Sequence, residues 1–137
     1  MIEPTTLPED ENNGNCPGYL LGLYTYVDPI DHGGEPLGFR PPTADLYVYE
    51  DKGECQMMIL LYRPRHVLEP AITSLKLHEN SLMLSEGFKP TLLPEDAKHI
   101  SDTTFTKLGY DYPKKEITIY LAGGKQCVYR RDRYADL

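Results

Sequence analysis

Leu46-Tyr47-Val48-Tyr49-Glu50, then Asp51-Lys52-Gly53-Glu54, then Cys55-Gln56-Met57-Met58-Ile59-Leu60-Leu61-Tyr62 is the stretch that decides the fold. The first segment alternates aliphatic and aromatic residues at period two, the signature of a strand with one face on a core. The turn carries a glycine where a hairpin needs positive φ. The second segment is apolar on both faces, as expected of a central strand covered on both sides. This is the clearest hairpin in the chain, and Arg63-Pro64-Arg65 ends it.

Outward from that hairpin the same grammar repeats. Residues 19–27 (YLLGLYTYV) place Leu21, Leu23, Thr25 and Val27 on one face and Leu20, Tyr24 and Tyr26 on the other, a strand buried on at least one side. Residues 71–77 and 81–85 flank His78-Glu79-Asn80 and read as a second hairpin, with a short helix over 71–77 as the competing reading. Residues 116–121 and 126–130 flank Ala122-Gly123-Gly124-Lys125 and read as a third. Pro94 to Ile100 is the best helix candidate, since proline suits the first turn and Glu95 and Asp96 sit where the helix dipole favours acids. Residues 28–44 hold four prolines and three glycines and form a long loop. Residues 1–17 lack periodic apolar residues and are expected to be disordered or loosely attached, leaving 18–137 as a single all-β domain. The expectation is an antiparallel β-sandwich of about 6–8 short strands with one short helix, with a small β-barrel as the alternative.

At 137 residues the chain is long enough for one domain and short for two, and its composition is globular. No apolar run approaches the roughly 20 residues of a membrane-spanning helix. The net charge of −7 argues against a general nucleic-acid binder. That charge is unevenly placed. Residues 1–39 contain Glu3, Glu9, Asp10, Glu11, Asp28, Asp31 and Glu35 and no lysine or arginine, while the rest of the chain balances. Such a block is either a solvating tail or an electrostatic lure for a basic partner.

Three cysteines, Cys16, Cys55 and Cys127, lack the close pair spacing of zinc sites. The favoured reading is three reduced thiols packed as small hydrophobes, with a Cys55–Cys127 disulfide possible if their strands are neighbours. The first residues carry no secretory pattern, which reads as cytoplasmic; a periplasmic or secreted chain starting after a removed signal is the alternative.

No catalytic pattern is present: no G-x-S-x-G, no Walker loop, no G-x-G-x-x-G. Asp28, Asp31, His32 and Glu35 share a loop, but their spacing matches no calcium loop. No catalytic residue, metal or cofactor is therefore assigned. Eleven tyrosines without a tryptophan favour binding, because tyrosine offers a large rigid face at low entropic cost. Tyr110 and Tyr112 surround Asp111 in an expected loop. Arg130 and Arg131 are expected to dock on the acidic N-terminal third. These features together point to a non-enzymatic protein-binding module, of the inhibitor or immunity type, that blocks a basic site on a partner enzyme or toxin. Asp28, Asp31, Glu35, Tyr110 and Tyr112 are its candidate partner-binding residues. A ligand-carrying barrel and a structural subunit of an assembly are the alternatives.

Overall fold

The computed structural model describes residues 16–29 and 36–132. A 3-10 turn over Gly18–Leu20 leads into β1 (Gly22–Val27), β2 (Thr43–Asp51), β3 (Glu54–Arg63), β4 (Val67–His78) and β5 (Ser81–Leu84). The short helix α1 (Pro94–Ala97) follows, then β6 (Lys107–Asp111), β7 (Glu116–Tyr120) and β8 (Gln126–Arg131). Each strand pairs antiparallel with the next, and β8 returns to β1 through Tyr24↔Arg131 to Val27↔Val128. The sheet is thus a closed barrel of eight strands.

The all-β class and the barrel alternative hold, and the sandwich is corrected. In–out alternation looks the same in one face of a sandwich and in a barrel wall; the pairing of the first strand with the last separates them. All three expected hairpins form. Their turns have the chemistry the sequence carries: Lys52 and Gly53 have φ of 54° and 81°, and Gly123 and Gly124 have 74° and 77°. Residues 71–77 are strand and not helix, and α1 covers only the first turn of the segment expected to be helical.

Two elements differ from expectation. β6 lies where a loop was expected, and it points Leu108 and Tyr110 inward. The cysteine reading is also corrected: Cys16 and Cys55 form a disulfide, and Cys127 is the buried free thiol. A Cys55–Cys127 bond is excluded by topology. Cys55 lies near the start of β3 and Cys127 near the start of β8, with β2 and β1 between the two strands and the two cysteines at opposite ends of the wall.

Side chains from the strands fill the barrel. Tyr24, Leu46, Met57, Ile59, Leu61, Leu82, Leu108, Ile117 and Tyr129 are among those removed from water in one contiguous cluster. The Tyr129 hydroxyl donates to the carbonyl oxygen of Thr43 at 2.8 Å and lies 2.8 Å from its Oγ1, tying β8 to β2 across β1.

Both mouths are plugged. At the upper mouth, where β1 ends, the segment joining β5 to β6 packs Phe88 edge-on to Phe105. There Arg40 holds the buried Asp96 carboxylate at 2.7 Å, and Phe39 stacks on His99 at 3.5 Å between ring centroids. At the lower mouth the 3-10 turn inserts Leu20. The Tyr24 hydroxyl donates to the Leu20 carbonyl at 2.7 Å, and the Tyr19 ring meets that of Tyr112 edge-on at 4.7 Å.

Candidate functional site

The strand register places the expected partner-binding residues apart. Asp28 follows β1 at the upper mouth and is exposed. Tyr110 and Tyr112 sit at the end of β6, at the lower mouth. Tyr110 is only 4% exposed; its ring belongs to the core, and burial pushes its hydroxyl pKa well up. Tyr112 is half-buried, with the Lys115 ammonium 3.7 Å from its ring centroid. Asp31 and Glu35 lie outside the described residues, as do His32 and Tyr134.

The basic C-terminal pair is used within the fold. Arg130 pairs with the buried Glu116 on the neighbouring strand at 2.6 Å. Arg131 reaches the N-terminal segment through main-chain oxygens, donating to the carbonyls of Tyr19 and Leu21. Its expected docking on the N-terminal third is thus right in place, and two of its contacts there are main-chain carbonyls.

The surface that sequence reasoning missed is the outer wall of β1 to β4. Leu23, Tyr47, Met58 and Ile72 form one cross-strand row, paired in register as Leu23↔Tyr47↔Met58↔Ile72. Alternation puts all four on the outside, because Tyr24, Leu46, Met57, Ile59 and Thr73 beside them are buried in the barrel. Above this row, Leu60 pairs with Pro70 and Tyr62 with Leu68. Tyr47 is 41% exposed and Ile72 51%, and Tyr49 stacks on Tyr47 at 5.6 Å. The both-faces-apolar pattern of residues 55–62 was the available signal. That pattern suits a strand covered on two sides, whereas the outer side is exposed at Tyr47 and Ile72 and at its upper end has the Arg40 guanidinium over the Tyr62 ring.

The two ends of this wall carry opposite charges. At the lower end Asp51 and Glu54 are paired directly across the hairpin, both exposed, with Glu50 beside them. Like charges set opposite each other disfavour the pairing they sit in. Neither belongs to an ion pair among the described residues. Lys52 in the turn and Lys76 on β4 are the nearby cations along the chain and the register. At the upper end stand Arg63, Arg65 and His66, with Glu69 held by Arg63 at 2.7 Å. Arg65 and His66 both have positive φ, 66° and 61°, so the tip is folded tightly back. Every residue from 64 to 70 is exposed.

Among the described residues, no three His, Cys, Asp or Glu side chains converge as a metal site. No described helix is long and apolar enough to cross a membrane. A cleft of about 360 Å³ on the other side of the barrel is lined by Asp111, Lys114, Glu116, Thr118 and Gln126 with Val27 and Val128, and opens outward. Comparison of the chain with protein-family models, with curated proteins and with solved structures finds no match.

Proposed function

We propose that the protein is a non-enzymatic protein-binding module, of the inhibitor or immunity type, whose working surface is the outer wall of β1 to β4. The observation that carries this is the outward row Tyr47–Met58–Ile72, with the acidic pair Asp51 and Glu54, in no ion pair among the described residues, four residues along β2 and β3 from it. Apolar and tyrosine area supplies the desolvated contact that slows dissociation, and an acidic end speeds encounter with a cationic site. A basic side chain of the partner would also relieve the repulsion between Asp51 and Glu54. The disulfide from Cys16 to Cys55 fastens the described start of the chain to the lower end of this wall. A ligand-carrying barrel has less in its favour, because the inward positions are occupied by side chains such as Tyr24, Met57 and Tyr129. The disulfide also favours an oxidising compartment over the cytoplasm.

The test is affinity capture from native extract at low salt, with elution by increasing salt. A single protein with a basic site, released as the Debye length falls to about 3 Å at 1 M, is the expected result. Retention should be lost with Tyr47→Ala and Glu54→Lys and kept with Asp28→Asn. A partner whose affinity is indifferent to salt and to Glu54 would overturn the reading.

A further inference from the structure

We infer that the cleft on the other side of the barrel, over β6, β7, β8 and the end of β1, is a binding site for a neutral pyranose sugar. The ring is seated on the short-side-chain row Val27–Val128–Thr118 and held by Glu116, Asp111 and the Gln126 amide. The inference goes beyond the protein-partner reading and rests on a different face.

The register builds the cleft. Val27, Val128, Thr118 and Gly109 stand opposite one another on four neighbouring strands, paired as Val27↔Val128↔Thr118↔Gly109. They face outward, because Cys127, Tyr129, Ile117, Ile119, Leu108 and Tyr110 on the same strands are buried in the core. This row is a floor of short side chains between two rows of longer ones. Asp111↔Glu116↔Arg130 runs along one side and Tyr120↔Gln126 along the other. Positions 116 and 120 on β7 set the flanking rows about 13 Å apart, which leaves width for one six-membered ring. Gly109 has no side chain, and the Tyr120 hydroxyl occupies the space that a Cβ there would fill. The half-exposed Tyr120 side chain therefore leans across to β6 and closes that end of the floor. The enclosed volume of about 360 Å³ is in the range of small-molecule sites.

The chemistry of the lining selects the ligand. The Glu116 side chain is only 9% exposed, and both of its bonds from Arg130, from Nε at 3.0 Å and Nη2 at 2.6 Å, go to Oε2. Oε1 takes no hydrogen bond among the described residues, so a carboxylate nine-tenths buried keeps an acceptor for the cleft it lines. Asp111 accepts the Lys114 main-chain N–H on Oδ1 at 3.1 Å and likewise keeps its second oxygen. Gln126 adds an amide that both donates and accepts, and Lys114 adds an ammonium. The acids are balanced by Lys114 and by the Arg130 bond, and Asp28 does not line the cleft. An anion would face Asp111 and Glu116, and a cation would face Lys114 and Arg130. A neutral pyranose meets neither penalty. Its hydroxyls donate to the two carboxylates and exchange bonds with Gln126, while its C–H face covers Val27 and Val128 and its edge meets the Tyr120 ring.

The test is titration of the full oxidised chain, isotope-labelled, with the methyl glycosides of glucose, galactose, mannose and N-acetylglucosamine, followed by amide NMR shifts. At least one glycoside should move the amides of Thr118, Gln126 and Val128 together and saturate with a Kd of about 1 mM. Gln126→Ala and Tyr120→Ala, both at exposed positions, should each weaken it about threefold to tenfold with the urea midpoint unchanged. Gly109→Ala should weaken it as well, because the new methyl displaces Tyr120. Tyr47→Ala, on the opposite wall, should leave it unaltered. A trisaccharide ending in the same sugar that binds more tightly marks a glycan as the source, and equal binding marks a free sugar; both support the site. No saturating shift with any of the four glycosides up to about 50 mM, a concentration far above the expected Kd, overturns the inference. So do shifts confined to another face, sugar binding indifferent to both Gln126→Ala and Tyr120→Ala, and a response of these amides to ethylammonium or acetate without one to sugar.

Discussion

Nη1 of Arg131 lies 3.0 Å from the carbonyl oxygen of Tyr19 and 3.3 Å from that of Leu21, so the last residue of β8 holds the segment that closes the lower mouth. One cation thereby satisfies two carbonyls that the irregular chain around the 3-10 turn leaves without strand partners. Charge-assisted bonds of this kind contribute about 1.5–3 kcal/mol each when intact, less where water reaches them. Arg131→Met keeps the aliphatic stem and removes both bonds. It should lower unfolding free energy by about 2 kcal/mol in urea titration. Arg130→Met should cost less, because its side chain is half exposed even though Glu116 is buried. Equal effects of the two substitutions would show that Arg131 does not secure the mouth.

The disulfide closes a loop with a sequence separation of 39 between Cys16 and Cys55. Loop-closure entropy for that length amounts to about 4 kcal/mol, lost on reduction. Cys127 should behave oppositely to the bonded pair. It is buried in the barrel, and burial pushes its thiol pKa up to about 12, so little thiolate exists at neutral pH. Alkylation of the folded protein followed by mass measurement should add nothing without reductant. With mild reductant it should add two groups, on Cys16 and Cys55, and a third only on denaturation. Early modification of Cys127 would mean that the barrel opens far more readily than its packing implies.

The parts of this fold legible in the sequence are the ones encoded locally. Lys52-Gly53 and Gly123-Gly124 specify turns, and the alternation around them specifies which side chains go in. Barrel closure was not legible, because the pairing of Tyr24 with Arg131 joins residues from opposite ends of the chain with no turn between them. β6 escaped because Gly109 interrupts a strand of only five residues, so its period never accumulates. The candidate site fared worse. Asp28 and Tyr112 were grouped by composition, and only the strand register shows that they flank different mouths. Met58 and Leu60 were visible as apolar, but which face of a strand is covered is decided by tertiary neighbours and not by periodicity.

Arg40 and Asp96 test how the upper mouth is held. The Asp96 side chain is 3% exposed and takes its charge-assisted bond from Arg40, whose guanidinium also lies 3.7 Å over the Tyr62 ring. The bond to Asp96 raises the already high pKa of Arg40. Removing the cation leaves a carboxylate buried without its partner, whereas removing both charges does not. Arg40→Met should cost about 3 kcal/mol, reduced toward about 2 by the partial exposure of Arg40. Adding Asp96→Leu to Arg40→Met should recover part of that loss. A strictly additive double variant, measured by thermal or urea unfolding, would mean the two side chains act independently.

Asp45 gives the pH dependence a defined sign. It lies in β2 where the register shifts between Thr43 and Leu46, half-buried beside the apolar wall, and burial raises its pKa above the ordinary 3.8. A raised carboxylate pKa means that the folded chain binds this proton more tightly than the unfolded chain does. Stability from this residue is therefore greatest below the unfolded value and falls as pH rises through the folded one, the reverse of an ion-paired acid. Asp45→Asn removes the penalty, so it should stabilise the protein at neutral pH and make no difference near about pH 3, where both side chains are neutral. Urea midpoints of the two proteins at both pH values check this directly. A variant less stable at pH 7 would mean that the Asp45 carboxylate has a favourable cation near it, and the wall beside Leu60 would then carry more positive charge than its neighbours in the sheet provide.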